Sequence, residues 1–241
     1  MLWKTRVQAV AAVLAGLGVT AVADEAVDKA TRELAQRFAQ VQSYTAHVQT
    51  LNDFMFHPAR GQKTTTAGPI EWQRQGEKAL MRSVNTRTET KAARGQTTTK
   101  TATITTVSDG EFQYVLTEED GQKTVEKSRA PALQTYSPEG YFEQFGKFFD
   151  IKLAPDAQVN GAECYVFEMR LKPMDNLPPS GRQFIYFHKQ HGIQVKSETY
   201  DPRGHLTRSL LLKDLKVNVD ISADRFKFEI PDDAKVTGTT P

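Results

Sequence analysis

Cysteine is nearly absent: Cys164 stands alone among 241 residues. No internal disulfide can form, so stability in an oxidising compartment has to come from a packed core. Charge of one sign is also lacking. Lys and Arg number 31 against 29 Asp and Glu, a net +2. Without a basic stripe the chain cannot neutralise a phosphate backbone, which excludes a nucleic-acid binder, and it has no polybasic run to hold a membrane surface. Long apolar runs are missing apart from one, Val7 to Val22, whose 16 residues fall short of the roughly 20 that span a bilayer.

That run follows Lys4 and Arg6 and ends in Ala21-Val22-Ala23, small residues at the positions a signal peptidase reads. Residues 1–23 are therefore expected to be a secretory signal cleaved after Ala23, leaving residues 24–241 as a single exported domain. Losing Lys4 and Arg6 leaves the mature chain with 29 charges of each sign. The signal holds no cysteine, so no lipid acceptor is available at the new N-terminus. A chain of this length buries roughly 70% of its unfolded surface, enough for one core.

From Asp24 to Gln42 the apolar residues Val27, Ala30, Leu34, Phe38 and Val41 recur every three or four positions, along one face of a helix. Lys29, Arg32, Glu33, Gln36 and Arg37 occupy the other face. The period then changes to two. Tyr44, Ala46 and Val48, and later Ile70, Trp72 and Arg74, alternate with polar residues as strands do. Asn52 to Gly68 reads as a long hairpin loop or a ragged strand pair, and the threonine-rich Thr97 to Val107 as a strand with a solvated face. Asp120-Gly121 marks a tight hairpin, since both central residues of a type I′ turn need positive φ.

Ser137-Pro138-Glu139 opens a second helix with a capping serine, a proline in the first turn and an acid beside it. Its apolar stripe is Tyr141, Phe142, Phe145, Phe148 and Phe149, a pattern that fits plain core packing as well as a ligand wall. Further strands run over Cys164 to Leu171, Phe184 to His188, Ile193 to Tyr200, Leu206 to Val219 and Phe226 to Ile230, with an exposed loop at Pro178-Pro179-Ser180-Gly181. Short Gly-containing turns between them favour an antiparallel meander over a parallel sheet. The expected fold is α+β, a strongly curved antiparallel sheet of about 9–11 strands with helices over its concave face.

Catalytic motifs are missing: there is no G-x-S-x-G, no P-loop and no dinucleotide fingerprint. His188 and His191 flank a turn with no third ligand near in sequence, and Cys164 alternates as an ordinary strand residue. No enzyme, cofactor or metal is expected. Gly68-Pro69-Ile70-Glu71-Trp72-Gln73-Arg74 carries the most information, because alternation puts Arg74 on the face of Ile70 and Trp72. A guanidinium there either reaches water at the strand end or meets acceptors such as the unsatisfied carbonyls of a helix C-terminus.

Taken in order, the signal, the helix running into VQSYTAHVQ, and then GPIEWQR, SDGEFQY and FKFEIPDDAKV resemble the bacterial periplasmic lipoprotein carriers of the LolA family. The resemblance implies a half-open antiparallel barrel with a helical lid, and a hydrophobic cavity that shields acyl chains while lipoproteins are sorted to the outer membrane. It implies a monomer in the periplasm, with acylated lipoproteins or lipids as ligands, an inner-membrane release complex and an outer-membrane acceptor as partners, and no nucleic acid. The cavity wall is then expected from Ile70, Trp72, Tyr114, Tyr141, Phe142, Phe145 and Phe149. The Tyr141 to Phe149 helix acts as lid and Arg74, six residues after Gly68, as its latch. Gln75 stands where the carriers usually have proline, and the threonine-rich stretch exceeds their pattern. The alternative on the same fold is a periplasmic sensor of lipoproteins or lipids; a module whose concave face is filled by its own side chains is the other rival.

Overall fold

The computed structural model describes residues 25–55, 60–93, 95–173 and 181–238. The expected signal and its cleavage after Ala23, Pro58 in the first loop, and Pro178-Pro179-Ser180 lie outside the described residues. Helix α1 (25–38) leads into β1 (Ser43–Asp53), β2 (Arg60–Gln75), β3 (Lys78–Ala93), β4 (Gln96–Ser108), β5 (Phe112–Glu119) and β6 (Gln122–Arg129). A 3-10 turn (Leu133–Tyr136) and α2 (Pro138–Gly146) follow. Then come β7 (Phe149–Val159), β8 (Ala162–Leu171), β9 (Arg182–His188), β10 (Gln194–Tyr200), β11 (Leu206–Val217), a second 3-10 turn (Ala223–Phe226) and β12 (Lys235–Thr237).

Among the described residues twelve strands form one sheet in the order β12-β6-β5-β4-β3-β2-β1-β11-β10-β9-β8-β7. The two ends, β12 and β7, are not paired with each other, so the barrel is half-open as expected. Every pairing is antiparallel except β12 with β6. The twelfth strand exceeds the expected range. Phe226 to Ile230, expected as a strand, instead ends a 3-10 turn and runs on without strand pairing. Asn52 to Gly68 is mostly ladder, with Asn52 opposite Thr64 and Val48 opposite Gly68.

Two long connections follow from this strand order. Between β6 and β7 the chain must travel from one side of the sheet to the far edge, and it does so over the concave face through the first 3-10 turn and α2. After β11 it returns over the convex face, where Ile221 and Phe226 pack on Leu80 and Arg225 pairs with Glu71 at 2.8 Å. The hairpin tips are the ones the turn chemistry requires: Asp120 and Gly121 at φ 51° and 76°, and a second pair, Asn160 and Gly161, at φ 50° and 81°.

The core divides in two along the concave face. Phe38, Val41, Tyr44 and Trp72 centre one cluster, and Leu34, Phe142, Phe167 and Phe187 the other. Apolar residues of α1 enter both, as its 3.6-residue period predicts. The threonine face of β4 is solvated: Gln96 to Thr101 are all exposed. Glu119 at the neighbouring hairpin tip is held ionised below its ordinary pKa by Lys100 at 2.8 Å.

Candidate functional site

Helix α2 starts where the sequence says it should. The Gly140 N–H donates to Ser137 Oγ at 3.0 Å, and Pro138 occupies the first turn. The chain crowds so closely here that a Cβ on Gly140 would lie 1.9 Å from the Gln134 carbonyl oxygen, so glycine is required at that point. The helix is shorter than expected. It ends at Gly146, leaving Phe148 52% exposed in the turn and Phe149 as the first residue of β7. The ring of Phe149 still reaches back to Phe145, with centroids 6.1 Å apart.

Between the helices and the sheet lies a cavity of about 210 Å³. Phe38 of α1, Thr135, Tyr136 and Ser137 before α2, and Tyr141 of α2 form its roof; Tyr44, Val48, Ile70, Leu210 and Leu212 of the sheet form its floor, with Phe187 and Ile193 at one side. Burial pushes the Tyr141 hydroxyl up to about 12 and raises Tyr44 and Tyr136 as well, so all three stay neutral at physiological pH.

The seven expected wall residues separate. Ile70 and Tyr141 line the cavity. Phe142 and Phe149 line a wider groove on the other side of α2, and Phe145 packs on Tyr141 at 4.6 Å. Trp72 does not line the cavity. It lies beside it with none of its surface exposed, stacked on Tyr44 at 5.4 Å and tilted against Phe38 and Tyr136, all three of which line the cavity. Its indole Nε1 has no hydrogen-bond partner among the described residues.

Tyr114 belongs to a different face. Cross-strand partners share a face, and Tyr114 sits opposite Val107, Val107 opposite Arg82, and Arg82 opposite Glu71, the neighbour of Trp72. One residue of offset puts Tyr114 on the convex side, stacked on Phe228 at 5.0 Å, so the expectation of a cavity role is overturned.

Arg74 does meet helix C-terminal carbonyls, but they belong to α1. Its Nη2 donates to the Phe38 carbonyl at 3.2 Å and its Nε to the Val41 carbonyl at 3.1 Å, while its own N–H donates to Gln42. The guanidinium lies over the rings of Phe38 and Trp72, 5.3 and 5.7 Å from their centroids. Burial lowers its pKa, yet arginine remains charged, and the negative end of the α1 dipole is a suitable partner. Among the described residues it makes no hydrogen bond to α2, so the expected latch on the second helix is corrected to a fastening on the first.

Sequence reasoning missed Phe38, Tyr136, Phe187 and Ile193 as cavity residues. Phe38 was legible only as part of an amphipathic face, and nothing local reveals that β9 and the turn before α2 meet across the mouth. Cys164 is fully buried on β8, its thiol pushed up to about 11 by desolvation, which keeps it unreactive. No group of three His, Cys, Asp or Glu among the described residues could hold a metal.

His188 and His191 face each other at 4.6 Å, and burial lowers both pKa values, with His191 adding to the effect on His188. An unfolded histidine protonates near 6.5, so below that pH the unfolded chain binds more protons than the folded one. The stability from these two residues is therefore complete above about pH 6.5 and is lost as the pH falls towards their folded values. Melting temperature is expected to drop between about pH 7 and 5, and a His188→Gln, His191→Gln double variant to flatten that slope. An equal slope in the variant would assign the dependence to other groups.

No protein-family model matches the chain, and no curated protein matches it by sequence. Solved structures do match. The Pseudomonas aeruginosa MucA/MucB complex shows 13% identity and a TM-score of 0.46, over 84% of this chain and 61% of that one, so this chain spans about three fifths of the matched length. The Mycobacterium tuberculosis lipoprotein LppX shows 8% identity and a TM-score of 0.45 over 83% of this chain and 100% of its own. An uncharacterised conserved protein from Thermus thermophilus shows 12% and 0.45 over 86% and 98%. With TM-scores below 0.5 these likenesses carry no weight for ligand or partner. The strand order and the two concave-side helices establish the fold themselves: a half-open antiparallel barrel with a helical cover, as the LolA resemblance implies.

Proposed function

We propose that this chain is a periplasmic carrier that binds the acyl chains of lipoproteins, or free lipids, beneath its two concave-side helices and helps sort lipoproteins to the outer membrane. Residues 1–23 are its export signal, removed after Ala23, and residues 24–241 are the mature monomer. It performs no catalysis and takes no cofactor. It receives its ligand from an inner-membrane release complex and gives it to an outer-membrane acceptor.

The observation that carries this reading is the small apolar cavity roofed by separable contacts. At about 210 Å³ it is below the roughly 300–1,000 Å³ of a small-ligand site. It is the closed form of a larger space. Burying about ten methylenes gains roughly 8 kcal/mol. Against this stand aromatic contacts of α2 at about 0.5–1.5 kcal/mol each and charge-assisted hydrogen bonds of Arg74 at about 1.5–3 kcal/mol. The terms are of similar size, so ligand entry and release can both proceed, which transport needs and permanent storage does not.

Native mass spectrometry of the mature protein purified from membranes tests the reading: a bound acylated species is expected. In this reading α1 lifts from the sheet together with α2 when ligand enters, so for Arg74→Leu the loss of the hydrogen bonds to Phe38 and Val41 weakens the closed form. The variant is expected to retain ligand about tenfold longer, since ~1.4 kcal/mol is a factor of ten, and to fail in handover. Release at the native rate would exclude Arg74 from the mechanism. A stable complex with a signalling protein, without release, would favour the sensor instead.

A further inference from the structure

Outside the cavity, α1, α2 and the start of β7 enclose a groove of about 800 Å³ that the carrier reading leaves unused. Its apolar lining is Val27, Phe142, Phe149 and Ile151, all half-buried or buried. Its exposed side chains are Asp28, Glu139, Glu143 and Asp150. Among the described residues of the lining Lys172 is the one cation, and its ammonium already donates to the Gly146 carbonyl at 2.8 Å, at the C-terminal end of α2. Among the described residues, none of the four carboxylates makes an ion pair or a side-chain hydrogen bond.

A second feature adjoins it. Among the described residues, strand β7 is the last of the sheet and pairs only with β8, so one side of its backbone has no ladder partner among them. Such an edge accepts polypeptide, and the groove begins at its first residues, Phe149 to Ile151.

We propose that this groove docks a basic, amphipathic polypeptide segment: apolar side chains on Val27, Phe142 and Phe149, and lysines or arginines against Asp28, Glu139, Glu143 and Asp150. An anionic lipid surface is disfavoured by the same four carboxylates, and an uncharged apolar ligand would leave them without partners. The inference stands apart from the acyl cavity, because it rests on the other side of α2.

The test is fluorescence anisotropy with two dye-labelled synthetic peptides, one alternating Lys and Leu and one with Glu in place of Lys. The basic peptide is expected to bind at least about tenfold more tightly and to weaken about tenfold between ~50 and ~500 mM salt. Glu139→Lys with Glu143→Lys, both exposed and compatible with folding, is expected to lower its affinity at least about tenfold. Asp232→Lys, an exposed acid outside the groove lining, should leave it within about twofold. Equal binding of the two peptides overturns the proposal. So does an unchanged affinity in the double variant, an equal loss in Asp232→Lys, or binding to anionic phospholipid vesicles in place of the basic peptide. A chain that fails to bind fatty acid but still selects the basic peptide loses the carrier reading and keeps this one.

Discussion

Trp72→Ala is expected to lower the unfolding free energy by about 3–5 kcal/mol, the range for deleting a buried aromatic. Against a total of roughly 5–15 kcal/mol for a domain, that is a large fraction. The reason is position as much as size. The indole is wholly buried and touches several elements at once: Tyr44 of β1, Phe38 of α1, Tyr136 before α2 and the Arg74 guanidinium. Removing it loosens the sheet and the cover together. Trp72→Phe should cost clearly less. It keeps an aromatic ring and removes an indole N–H that has no partner among the described residues, and an unsatisfied buried donor costs about 1–3 kcal/mol. Urea unfolding followed by far-UV circular dichroism measures both. An alanine variant within about 1 kcal/mol of the native protein would mean the cluster does not join these elements.

Covalent closure of the cover is expected to have the largest effect on binding. Tyr141 of α2 and Phe187 of β9 meet edge to face in the cavity wall, with ring centroids 6.0 Å apart. A Tyr141→Cys, Phe187→Cys double variant can be bridged by a short, reducible bifunctional thiol reagent. Cys164 will not interfere, being buried with its thiol pushed up to about 11. The bridged protein should bind a fatty-acid probe at least about tenfold more weakly than the same variant unbridged, because the closed space is below ordinary ligand size. Reduction should restore the affinity. If bridging changes nothing, the acyl chain does not enter beneath α2.

Much of this arrangement was legible in the chain. The serine cap and proline fixed the start of α2 locally, and Asp-Gly fixed the β5–β6 hairpin, since both signals act within a few residues. Arg74 was legible in part: alternation placed it beside Trp72 and the need for acceptors pointed to a helix end, but not to which helix. Tyr114 shows the limit. Period two says which residues of a strand share a face; it does not say which face is concave, and only the register carried across β2, β3, β4 and β5 puts Tyr114 opposite its expected side. Phe149 shows another. An aromatic run fits both periods at once, so the end of α2 and the start of β7 could not be separated without the edge pairing with β8. The roof of the cavity was hidden for a topological reason, because the crossing from β6 to β7 depends on where each strand lies in the sheet order.

The central claim is that a fatty chain can occupy the space between these helices and the concave sheet. Trp72 is the sole tryptophan after residue 23, and it lies directly against three residues of the cavity wall. Energy transfer from Trp72 to a fluorescent fatty acid, titrated into the mature protein and into the Tyr141→Cys, Phe187→Cys variant with and without its bridge, reads binding, and its loss on bridging locates the probe in that space. The account predicts saturable transfer at one probe per chain, reversed by unlabelled palmitate. Transfer that is absent at high micromolar probe, or that rises linearly without saturation, would contradict it.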